Sequence, residues 1–143
     1  MRSGASPDGD VRGKAELLSR SVKSLEPVID AIVTAPAALW DLDVSGYTPE
    51  AIDEAIAVGR TLARVLPGGR SDTLLTKVML GVFGCVPAFD RYVRNGLGVW
   101  TFCPRALRTI QAFYEEHRTV IERRRVPTID FTTSQPTRPP LFR

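Results

Sequence analysis

Apolar residues recur along most of this chain at alternating steps of four and three, the spacing that lines one face of a helix. Leu18, Val22, Leu25, Ile29 and Ile32 form the first stripe, interrupted by Pro27. That proline either bends the helix or sits in the first turn of a fresh one capped by Ser24. Pro36 ends the stripe, and residues 37–40 add one short turn. Thr48-Pro49-Glu50 is a strong helix start: a capping hydroxyl, a proline at the first helical position and an acid facing the positive end of the dipole. Ile52, Ile56, Gly59, Ala63 and Leu66 follow the same rhythm until Pro67-Gly68-Gly69 stops it.

Ser71 or Asp72 caps the next helix. Its wide apolar face (Leu74, Leu75, Val78, Met79, Val82, Phe83) predicts the most buried helix of the molecule. Residues 84–87 break it, and a short helix is expected over 88–94 before Asn95-Gly96. Pro104 opens the last long helix, in which Leu107, Ile110, Tyr114, His117 and Ile121 make the stripe and Phe113 and Val120 widen it. Beyond Val126 the periodicity stops, and Pro127, Pro136, Pro139 and Pro140 favour extended backbone. No segment alternates with a period of two, and no repeat is visible. The predicted fold is an all-α bundle of five to six helices over residues 14–125. A disordered leader (1–13) and an extended Pro/Arg-containing tail (126–143) flank it.

Composition narrows the picture without deciding it. The 143 residues are 43% hydrophobic and 24% charged, the balance of one globular domain. Residues 1–14 carry charges but no apolar run, and the longest uncharged stretch, 78–89, is too short to span a membrane. Cys85 and Cys103 lack disulfide-framework or metal-ligand spacing and fit a reducing cytoplasm. His117 is the only histidine, which excludes multi-histidine metal and catalytic sites. It falls on an apolar stripe and reads as structural. A Cys85–His117 nucleophile pair has no sequence signature. The acidic pairs Asp41/Asp43, Asp53/Glu54 and Glu115/Glu116 read as solvated surface. There is no glycine-rich phosphate loop after a strand, so no nucleotide cofactor is expected. From Arg118 onward six arginines face two acids, an excess of four that exceeds the +3 of the whole chain. This concentrated charge suits a nucleic-acid backbone or an acidic partner.

Residues 66–99 read LPGGRSDTLLTKVMLGVFGCVPAFDRYVRNGLGV. In order of features this segment resembles the core of the helix-hairpin-helix DNA glycosylase superfamily. Leu66-Pro67-Gly68-Gly69 corresponds to the hairpin, residues 74–83 to the buried helix, Phe83-Gly84 to its end, Asp90 to the aspartate and Gly96-Leu97-Gly98 to the ending. The hairpin is one position short, and Arg70, Ser71 and Asp72 stand where bifunctional members carry a lysine. Lys77 lies inside the following helix, and Arg91 and Tyr92 replace the Thr-His that often follows the aspartate. No four-cysteine iron–sulfur loop is present.

The resemblance implies backbone donors at Gly68 and Gly69 that meet a phosphate without sequence preference. It also implies an ionised Asp90, which in a glycosylase stabilises a cationic sugar beside a flipped base.

Three functions are therefore expected to compete. The first is a small non-catalytic domain associated with DNA or RNA through Gly68, Gly69, Arg70, Lys77 and Arg91, together with Arg123, Arg124 and Arg125. The second is a protein-interaction or regulatory subunit, antitoxin-like or part of a defence assembly, anchored by Trp40, Trp100, Phe102 and Phe142. The third is a divergent glycosylase using Asp90. None of the three calls for a cofactor, a metal or a membrane.

Overall fold

The computed structural model describes residues 22–68 and 71–143. The predicted leader, the first turns of the opening helix, Gly69 and Arg70 lie outside the described residues. Within them the chain is helical: α1 (Glu26–Val33), α2 (Pro49–Val65), α3 (Asp72–Val82), α4 (Arg91–Leu97) and α5 (Pro104–Arg124). Single 3-10 turns occupy Val22–Leu25, Ala37–Asp41 and Val44–Gly46. An all-α bundle is what the hydrophobic spacing predicts.

The boundaries follow local chemistry. Pro27 lies in the first turn of α1, but the cap is Leu25 rather than Ser24, because the preceding 3-10 turn already holds helical backbone there. Thr48 caps α2 by accepting from the Ala51 amide at 3.2 Å. Ser71 caps α3 through the Leu74 amide at 3.3 Å. Gly84 follows α3 at φ +66°, where its amide closes on the Met79 and Leu80 carbonyls. Gly98 ends α4 at φ +65°. Both are left-handed positions that glycine adopts without a Cβ penalty.

Two expectations are corrected. The most enclosed helix is α2, which packs on α1, α3 and α5 and buries Ile52, Ala55, Ile56, Val58, Gly59 and Leu62. In α3 only Leu75, Thr76 and Met79 are buried, while Leu74, Val78 and Val82 stay half-buried at its margins. The short helix starts at Arg91, not at residue 88. The reason is tertiary: the Thr76 hydroxyl accepts from the Phe89 amide at 2.8 Å, and the Thr73 hydroxyl donates to the Phe89 carbonyl at 2.9 Å. Both backbone groups of Phe89 are thus satisfied by α3, and its ring is fully buried in the core.

The tail also differs from a plain extended arm. Thr128–Ile129 (β1) and Pro136–Thr137 (β2) form an antiparallel ladder with Thr128 opposite Thr137. Asp130 sets the turn by accepting from the Thr132 amide at 2.8 Å, and Ser134 takes a positive φ of 54°. Two residues per strand are too few for alternation to reveal. Beyond the hairpin the chain returns to the bundle. Leu141 donates its amide to Asp43 at 3.0 Å, Leu141 and Phe142 pack on the core, and the Arg143 guanidinium binds the carbonyls of Trp40 and Phe83.

Candidate nucleic-acid interface

The hydrogen bonds that hold Phe89 also place the resembling segment. Because Thr73 and Thr76 lie in the first turns of α3, Phe89 and Asp90 sit beside the helix start to which the Pro67-Gly68 turn leads. Gly68 is exposed at φ +93°, and nothing would meet a Cβ added there. The structure therefore brings Gly68, Asp90 and Arg91 to one end of the bundle. Lys77 lies one turn beyond Thr73 on the same side of α3, since residues four apart share a helix face. Both Lys77 and Arg91 are exposed, and the Arg91 guanidinium lies 5.3 Å from the centre of the Tyr92 ring. Arg94, one turn on from Arg91, has its Nε buried without a hydrogen-bond partner, alone among the described side chains.

Asp90 is committed. It is the N-cap of α4, and its Oδ1 accepts from the amides of Tyr92 and Val93, each at 2.9 Å. A second carboxylate at this end, Asp72, accepts from the Phe102 amide at 2.9 Å and so ties the loop before α5 to the start of α3. Nothing in the sequence marked Asp72 for that long-range task, because a carboxylate at a helix start reads as a dipole partner.

The arginines at the end of α5 lie elsewhere. Arg125 pairs with Asp43 at 3.4 Å, and Asp43 immediately precedes the turn leading into α2. Gly68 follows the far end of the same helix, a separation of about 25 Å at 1.5 Å per residue. Arg125 is also taken up internally, bonded to Glu122 at 2.9 Å and to the Pro139 carbonyl, so it braces the tail and does not project from it. Arg123 and Arg124 are exposed and have no ion pair among the described residues. The Tyr114 hydroxyl and Arg125 both donate to Glu122, which holds that carboxyl below its ordinary range.

The four predicted aromatic anchors divide as well. Trp100 is 60% exposed. Trp40 stands at the surface edge-on to Phe83, with ring centres 4.8 Å apart. Phe102 is half-buried, edge-on to Phe89 at 5.8 Å and pressed against Gly59, and Phe142 packs on the core.

A Cys–His pair does not assemble. Cys85 is fully buried and its thiol is pushed up to about 12 by that burial, while His117 is exposed and stacked on Phe113 at 4.4 Å. Among the described residues no cluster of His, Cys, Asp or Glu has metal-binding geometry. No helix there is long and apolar enough to cross a membrane. A shallow depression between α1 and α2, about 220 Å³, is lined by alanines, Pro36, Val58, Thr34 and Thr61 and contains no titratable group.

Comparison with protein-family models, curated proteins and solved structures gives no match.

Proposed function

We propose that this chain is a non-catalytic helical domain that associates with a nucleic-acid backbone through the end of the bundle formed by the Gly68 turn and the start of α4. The observation that carries this reading is the pair of threonine bonds to Phe89, which holds the segment leading to Arg91 against the first turns of α3, the helix that bears the exposed Lys77 and follows the exposed Gly68 turn. Asp72 and Asp90 offset part of the local positive charge, but their carboxylates are spent on backbone amides. Such a surface contacts phosphates and carries no base-reading code. The glycosylase-like segment supplies the scaffold, and Asp90 supplies the cap of α4 in place of a catalytic charge.

Fluorescence anisotropy of the full chain with a labelled DNA duplex tests this reading. Two to three phosphate contacts predict affinity falling roughly ten- to fortyfold between 50 and 200 mM salt. Lys77→Glu and Arg91→Glu each weaken binding and flatten that dependence, whereas Asp90→Asn leaves it unchanged. Absence of binding at low salt, or binding indifferent to both charge reversals, removes the proposal.

A second reading, a protein-interaction subunit, is favoured by the open Trp100 ring and by Phe131, which is 96% exposed at the hairpin turn. Co-purification of a defined partner that is lost on Trp100→Ala distinguishes it.

A further inference from the structure

The outer edge of α5 carries apolar side chains that the bundle does not use. The core takes Ala106, Leu107, Ile110 and Tyr114, with Ile121 half-buried. Phe113 and Val120, seven residues apart and therefore on one edge of the helix, remain 42% and 53% exposed. Val126, just past the helix end, is 81% exposed. Exposed apolar residues scattered singly are ordinary, but a row along one helix edge marks a surface that another body covers.

The charges beside this row say which body. Glu116 and Arg123 are also seven residues apart, and both lie on the solvent side of the Phe113–Val120 edge. Glu115 is already paired with Arg118 at 3.4 Å, whereas Glu116, Arg123 and Arg124 have no ion pair among the described residues. A two-fold axis at the level of Thr119 and Val120 sets Glu116 of one chain opposite Arg123 of the other, twice. The same operation stacks Val120 on its own copy and brings each Phe113 toward the C-terminal end of the other chain's α5. An apolar row flanked by an acid at one end and a cation at the other is complementary to itself only when reversed. Neither a polyanion nor a uniformly acidic protein matches both halves.

The geometry points to a second copy of this chain as the partner of that edge, with the two α5 helices packed antiparallel around Val120. The proposal is independent of nucleic-acid association, because it leaves the Gly68 end of each bundle open.

Sedimentation equilibrium and light scattering on the full chain, from micromolar to millimolar concentration, test it. The expected result is a reversible rise from the 15.7 kDa chain mass to twice that mass. Val120→Glu, at a half-exposed position that the fold tolerates, keeps the chain at its single mass throughout. Glu116→Arg and Arg123→Glu each weaken self-association about tenfold at low salt, since every substitution reverses two contacts. An equimolar mixture of those two variants pairs each new arginine with a new glutamate and restores association to near the parent's. A single mass at all concentrations overturns the inference. So does a dimer insensitive to Val120→Glu, or a mixture that associates no better than its separate components.

Discussion

Single side chains in this bundle act mainly as hydrogen-bond acceptors that let irregular backbone enter a helical core. Thr76 is the only buried polar residue among those described, and its hydroxyl links the Asp72 carbonyl to the Phe89 amide. Replacing it with valine keeps the shape and strands the Phe89 amide in the interior, at a cost of about 1–3 kcal/mol. Thr76→Ser keeps the hydroxyl and loses less, so urea titration of the two variants separates hydrogen bonding from packing. Asp90 gives a parallel contrast. Asp90→Ala removes the cap of α4 and lowers stability by about 1 kcal/mol, whereas Asp90→Asn, a comparable cap, changes it by a few tenths. Thermal melts of both variants check this, and a large loss of nucleic-acid affinity in Asp90→Asn with an unchanged melt would show the carboxylate doing more than capping.

At the scale of elements, the decisive feature is how closely the loop before α5 approaches α2. A Cβ built on Gly59 would stand 2.5 Å from the Phe102 ring, itself held edge-on against Phe89. Alanine in a helix interior normally gains about 1 kcal/mol over glycine. Here overpacking of about 1–3 kcal/mol opposes that gain, and the net effect of Gly59→Ala is a loss. Adding Phe102→Leu relieves the contact, so the double variant recovers part of the helix gain in a denaturant melt. The late start of α4 belongs to the same scale. Residues 88–90 carry no strong helix breaker, yet they stay outside the helix because α3 satisfies Phe89 on both sides.

At the scale of the molecule, the C-terminal residues close one end of the bundle through Arg125, Asp43 and Glu122. Glu122 has its folded-state pKa lowered by the Tyr114 and Arg125 hydrogen bonds. Its contribution to stability is therefore fully present above its ordinary value of 4.5 and is lost as pH falls through the lower folded value. Asp130 in the hairpin turn is lowered by the Thr132 and Thr133 amides and acts with the same sign. The thermal midpoint is expected to drop from about pH 4.5 downward, with a shallower acid limb in Glu122→Gln. Hydrogen exchange at the Leu141 amide reports the same release locally, since its acceptor Asp43 is held by the Arg125 that also binds Glu122.

The helices were legible in the chain itself because their information is local. Four-three spacing, Thr48-Pro49-Glu50, Ser71 and Pro104 each act within one turn, so α2, α3 and α5 begin where the sequence places them. What folding alone decided is everything set by residues far apart. Thr73 and Thr76 reach Phe89, Asp72 reaches Phe102, and Arg125 reaches Asp43 across 82 positions. That last pairing divides the predicted basic residues between two ends of the bundle and turns one of them into a brace. Periodicity records which side of a helix is apolar. Which neighbour covers that side, and which charge is left for a partner, depends on contacts that have no period.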